Sequence, residues 1–264
     1  MARSCHVVPL ILLLASGVFN PVPLISQNQA PTRDQQAMKI VQAAISNMGA
    51  VNSATAIQDC VLTGTSESDS NPDLRKEFTW TIAGNEFRFE VQSAKGTGFF
   101  VSGYGAPTNV LNGKVSTLQS YVGRANLPYY LPAFLLSKEL ANPNYSIQYI
   151  GGTTINGRQA IQVHLSDRSD QIASWISPQD WYFDANSTIP LRVEFRVPPN
   201  ESLVKWVKGT YDFYDFRSVN GLLTPFQISF AMEHLPSQTI KFTSITFNVG
   251  VLKSIFDAPT EVGQ

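Results

Sequence analysis

The spacing of hydrophobic residues changes its period once along this chain, close to residue 57. Before that point Met38, Val41, Ile45 and Met48 recur at intervals of three and four, which is one apolar stripe on a helix. Thr32-Arg33-Asp34-Gln35 reads as a capping box and Gly49 as a stop, so the spacing predicts an amphipathic helix over residues 33–48. From Ile57 onward the period is two. Phe78, Trp80 and Ile82 alternate with threonines, and after Gly84-Asn85 the set Phe87, Phe89 and Val91 alternates with Arg88 and Glu90. That is a hairpin with one buried face. The same alternation returns in Tyr145 to Tyr149, Ile161 to Leu165, Leu191 to Val197, Tyr211 to Phe213, Leu222 to Met232 and Ile240 to Val249. Asn156-Gly157 and Asn220-Gly221 supply tight turns. The predicted fold class is α+β and β-rich, with an antiparallel sheet of about nine to eleven strands behind an N-terminal helix.

One segment interrupts the strands. Leu127 to Leu140 is unusually apolar for a connection; Pro132 suits the first turn of a helix and Asn142-Pro143 ends it. It either packs as a second core helix or lies over a groove as a lid. No composition break or repeat divides residues 31–264, which read as one β-rich domain.

Ahead of that domain, Arg3, the uncharged run Val7 to Val18 and a proline-rich lead to Pro31 have the build of a secretory signal peptide over residues 1–30. The run is shorter than the roughly twenty residues that span a membrane. Ala15-Ser16-Gly17 and Asn28-Gln29-Ala30 are two loose cleavage candidates, and a retained N-terminal anchor is the alternative. The expectation is an exported protein, periplasmic or secreted, with no transmembrane anchor in its mature form.

Charged residues make up 15 % of the chain and the formal net charge is -1, which excludes disorder and gives no electrostatic pull toward nucleic acid. Of two cysteines, Cys5 falls in the signal segment, which leaves Cys60 as a buried apolar filler. His164 and His234 lie far apart without ligand neighbours, so no metal and no cofactor are expected. Strand alternation points His164 away from Val163 and Leu165 and toward solvent. Catalytic patterns are weak as well. Ser202-Leu203-Val204-Lys205 lacks companion motifs, Gly96-Thr97-Gly98 leads into no helix, and no Gly-x-Ser-x-Gly elbow occurs. No catalytic residue is assigned, and the chain is read as a non-enzyme.

Three phrases in the second half carry a resemblance. Trp181-Tyr182-Phe183-Asp184 with Thr188-Ile189-Pro190-Leu191-Arg192-Val193-Glu194 resembles a hairpin of the bacterial LolA/LolB and RseB-like envelope superfamily. Phe216 to Phe226 resembles its next hairpin, and Phe247-Asn248-Val249 with Ser254 to Pro259 its closing strand and tail. The resemblance implies a strongly curved antiparallel sheet, an unclosed barrel, with helices on its concave side. It also implies an apolar cavity for lipid acyl chains, or a surface that senses lipids or exported proteins. The middle, Gly96 to Leu140, is longer and more aromatic than in the well-known carriers.

The expected function is an exported carrier or sensor of a lipid or lipoprotein acyl chain. The expected wall comprises Trp80, Phe87 and Phe89 on the early hairpin, Leu191, Val193 and Phe195 on the later strand, and Tyr130, Phe134 and Leu135 from the covering segment. The same residues would equally fill a dry core. Two further readings stay open: an envelope module that binds an exported protein partner through sheet edges, and a hydrolase with an unrecognised site.

Overall fold

The computed structural model describes residues 30–50, 57–94, 96–102, 107–198 and 205–257. Residues 1–29 of the expected signal segment, with Cys5, and Ser202 to Val204 and the tail beyond Asp257 lie outside the described residues. The chain opens with α1 (Gln35–Asn47), whose stripe of Ala37, Val41, Ala44 and Ile45 is buried. Its cap differs from the expected one. Asp34, not Thr32, accepts from the Ala37 amide at 2.8 Å. Arg33 is bridged to the strand at Ile147 by its neighbours: the Thr32 carbonyl accepts from the Ile147 amide at 2.7 Å and the Asp34 amide donates to the Ile147 carbonyl at 2.9 Å. The backbone of residue 32 is thus committed to the sheet, and the helix starts after it.

Among the described residues thirteen strands follow, all in one antiparallel sheet. They are β1 (Asp59–Ser68), β2 (Asn71–Ala83), β3 (Glu86–Ser93), β4 (Gly96–Ser102), β5 (Thr108–Leu111), β6 (Lys114–Thr117), β7 (Tyr145–Ile155), β8 (Arg158–Asp167), β9 (Gln179–Asp184), β10 (Pro190–Val197), β11 (Val207–Val219), β12 (Leu222–Met232) and β13 (Gln238–Phe247). Between β6 and β7 stand α2 (Ser120–Arg124) and α3 (Pro132–Ala141), and α4 (Gln171–Ile176) precedes β9. The fold is α+β and β-rich, as expected. The count exceeds about nine to eleven because β4, β5 and β6 are short and carry glycines and polar residues that erase the alternation.

The order β6-β5-β4-β3-β2-β1-β13-β12-β11-β10-β9-β8-β7 leaves β6 and β7 as edges, so the barrel is not closed. Its curvature follows from α3. Lys138 reaches the Gly84-Asn85 turn between β2 and β3, and the adjacent Glu139 reaches Gln179 on β9. β2 and β9 are six positions apart in that order, or about 29 Å across a flat sheet at roughly 4.8 Å per strand. Two neighbouring side chains cannot span that, so the sheet curls around the helix. One core results, drawing on α1, α3, the early hairpin and the later strands alike.

Gly49 closes α1 against this core. Its φ is +78°, and a Cβ there would overlap the Gly221 carbonyl in the β11–β12 turn. The close approach lets the Met48 carbonyl accept from Leu223 and locks the helix to the sheet.

The observed cap yields a prediction. Asp34→Ala is expected to destabilise the protein by about 1 kcal/mol in chemical denaturation, and Thr32→Ala, whose backbone bonds survive, by clearly less.

Candidate functional site

Cross-strand register decides which residues share a face. Leu62 pairs with Trp80, Trp80 with Phe89 and Phe89 with Phe100, which gives an apolar row on the concave side. The segment ahead of α3 and the helix itself lie on it. Tyr130 meets Trp80 with ring centroids 4.0 Å apart, and Tyr129 stacks on Phe195 at 4.2 Å. Phe242 closes the side of the Trp80 ring at 5.5 Å, and Tyr211 meets Phe195 at 5.1 Å. The result is a continuous aromatic layer between sheet and covering segment.

Eight of the nine expected wall residues meet here. Trp80, Tyr130, Phe134, Leu135, Val193 and Phe195 are buried in the one core, with Phe87 and Phe89 partly buried against it. Leu191 is the exception. A bulge between Pro190 and Arg192 shifts the register, and Leu191 packs instead with Ile155, Ala160 and Tyr182 in a separate small cluster. Simple alternation from Val193 back to Leu191 missed that extra residue. Tyr129, Tyr211 and Phe242 pack in the same aromatic layer, outside the expected set, although Tyr129 sits beside Tyr130 in the apolar segment.

Polar groups on this face are few. The indole Nε1 of Trp80 and the hydroxyls of Tyr129 and Tyr130 are buried without a hydrogen-bond partner. Burial holds both tyrosine hydroxyls well above their ordinary pKa. Glu139 is the one fully buried acid of α3, only 2 % exposed. Its Oε1 accepts from Gln179 Nε2 at 2.6 Å, and Gln179 Oε1 accepts from Trp181 Nε1 at 2.6 Å. Burial raises the Glu139 carboxyl from the usual 4.5 to about 8, against the lowering effect of its contacts with Gln179 and Tyr145. It is therefore mostly neutral at pH 7. Its place was readable in the sequence: Glu139 stands three and four residues after Leu136 and Leu135, on the apolar stripe.

The ties of the covering segment are unevenly distributed. Arg33 donates to the carbonyls of Leu140, Asn142 and Tyr145, at 2.6, 2.9 and 3.3 Å, and so fixes the C-terminal end of α3. Lys138 and Glu139 add the two clasps to the sheet. Tyr129, Tyr130, Phe134 and Leu135, at the other end, pack through apolar surface.

The opposite face carries different chemistry. A groove of about 830 Å³ runs along the row Thr63, Thr79, Glu90, Phe99 and Val110, with Arg75, Glu77 and Gln92 beside it. Charges on that lining suit polar matter rather than an acyl chain. His164 lies on this outer side as expected, yet it is half-buried rather than free in solvent, because its Nδ1 meets Asp180 Oδ1 at 3.0 Å. Cys60 is buried in the core, and burial, then the nearby Asp59 charge, push its thiol up to about 12. Among the described residues no cluster of three or more His, Cys, Asp or Glu could hold a metal ion.

Solved structures share this architecture. A domain named for outer membrane lipoprotein sorting, from Vibrio parahaemolyticus, superposes with a TM-score of 0.55 at 13 % identity, covering 84 % of this chain and 97 % of its own. A LolA superfamily protein from Nitrosomonas europaea gives 0.53 at 10 % identity over 84 % and 97 %. A DUF1329 family protein from Desulfovibrio piger gives 0.51 at 13 % identity over 82 % and 97 %. The fold is thus LolA-like, the fold that the hairpin phrases implied. No family model and no curated protein matches the chain. Among the described residues no helix is long and apolar enough to cross a membrane.

The buried acid makes stability depend on pH. Its folded pKa of about 8 lies above the usual 4.5, so the folded state holds the proton longer than the unfolded one. The stabilisation is complete below about 4.5 and is lost as pH rises toward 8. Glu139→Gln is expected to flatten this fall in melting temperature between those limits; an unchanged slope would place the titration elsewhere.

Proposed function

We propose that the protein is a non-enzymatic carrier or sensor of a hydrophobic ligand, a lipid or lipoprotein acyl chain, exported to the bacterial cell envelope. In this reading residues 31–264 form one LolA-like unit sent out behind a signal segment over residues 1–30. The observation that carries it is the aromatic concave face of Trp80, Phe87, Phe89, Val193 and Phe195, covered by Tyr130, Phe134 and Leu135 through apolar contact. An acyl chain can replace such contacts in kind, since each methylene it buries contributes about 0.8 kcal/mol. The fixed end of α3 at Arg33 leaves the Tyr129–Leu135 stretch as the part that yields. Lipoprotein sorting, for which the Vibrio domain is named, is one task such a seat would serve.

A second reading rests on the open barrel. β7 is an edge strand whose Tyr149 and Ile150 are 37 % and 53 % exposed, a place where an extended segment of an exported partner could pair.

Native mass spectrometry of protein purified without detergent separates the two. The carrier reading predicts an adduct of lipid mass that organic extraction removes. A mass that stays bare after incubation with envelope lipids contradicts it and favours the edge-binding module. Phe134→Arg is expected to abolish lipid uptake while far-ultraviolet circular dichroism stays that of a folded β protein.

A further inference from the structure

We infer that the ligand is an uncharged acyl ester, whose ester oxygens are received by Trp80, Tyr129 and Tyr130. This rests on the carrier reading and adds the chemistry of the ligand's linkage to it. Three donors, the Trp80 indole N–H and the two tyrosine hydroxyls, are buried at 7 %, 2 % and 3 % exposure with no partner. A buried donor left unmade costs more than a made one gains, so a lining meant only for hydrocarbon would carry phenylalanine at these places. Trp80 lies on the sheet and Tyr129 and Tyr130 are neighbours in the covering segment, so an acceptor between sheet and segment has unpaired donors on both sides. The Tyr130 and Trp80 rings are 4.0 Å apart, and the Tyr129 ring lies 6.5 Å from that of Tyr211.

Charge decides among lipids that bear an oxygen acceptor. Among the described residues no lysine, arginine or histidine is buried. The buried acid of α3, Glu139, belongs to the covering segment itself. Lys138 lies over the Phe134 ring at 5.2 Å and reaches out to the exposed Gly84-Asn85 turn, so a fatty-acid carboxylate or a phosphate held at the three donors would meet no buried cation and would be repelled by Glu139 whenever that group ionises. A pure hydrocarbon would leave the three donors as they stand. An ester is neutral, its carbonyl oxygen accepts from two of the three donors and its alkoxy oxygen can accept from the third, and it sits where an acyl chain begins. The chain then runs along Phe87, Phe89 and Phe242 while the linkage stays at the donors.

Three probes of matched chain, methyl palmitate, palmitate and hexadecane, delivered from cyclodextrin to the exported protein at pH 7, test this by the fraction loaded in native mass spectra. Methyl palmitate is expected to load about tenfold better than either of the others, the gain of one or two buried hydrogen bonds. In the Trp80→Phe/Tyr130→Phe variant the ratio of ester to hexadecane is expected to fall toward one, and the melting temperature of the empty protein to rise. A general loosening of the site would lower both probes and leave the ratio in place, and the single Tyr129→Phe variant gives an intermediate ratio if the double variant folds poorly. Equal loading of ester and hexadecane by the parent protein, preference for palmitate, or a ratio that survives the substitutions overturns the assignment of the ester while leaving the carrier reading intact. Loading by none of the probes, nor by envelope lipids, overturns both.

Discussion

The contact between the one apolar face of an open sheet and the short segment that covers it governs this molecule. A sheet of thirteen strands with an aromatic concave face cannot leave that face in water. Because the barrel is unclosed, the covering must come from outside the strands. Residues 127–141 provide it, with α1 behind them. Curvature, the bonded entry at Thr32 and the clasps at Lys138 and Glu139 all serve to keep that seam shut.

The seam is asymmetric, and its asymmetry links structure to function. At the C-terminal end of α3 the bonds are polar and directional: Arg33 to three carbonyls, Lys138 to a hairpin turn, Glu139 to Gln179. At the other end the contacts are aromatic and non-directional, and a hydrophobic guest can exchange for them with little loss. In the proposed carrier, a segment fixed at one end and exchangeable at the other would open about its fixed end. Gln179 donates to Glu139 in either protonation state, but burial makes a charged carboxylate costly there, so loss of the proton couples that end to pH.

Much of this was legible in the residues. The period of α1, the Phe78 to Val91 hairpin and the apolar covering segment were read correctly because each is a long, regular pattern. The curled, unclosed form came from the hairpin phrases around Trp181 to Glu194. What escaped has physical causes. Leu191 lay beyond a bulge, which alternation cannot register. Asp34 took the cap because Thr32 was drawn into pairing with a strand more than a hundred residues away in sequence. β5 and β6 are four residues each and β4 opens on Gly96-Thr97-Gly98, so none of them shows a period. Glu139 did leave a trace, as a lone acid on an apolar stripe, but its partner Gln179 could be known only from the fold. Periodicity tells which way a side chain points and not what waits for it there.

The most direct test of the central claim is hydrogen–deuterium exchange of the whole protein, empty and saturated with a long-chain acyl lipid. If the ligand seats under the covering segment, protection changes concentrate in residues 127–141 and in β2, β3 and β10. Changes confined to the outer groove at Thr63, Thr79 and Glu90 or to the β7 edge, or no change at saturation, would contradict it.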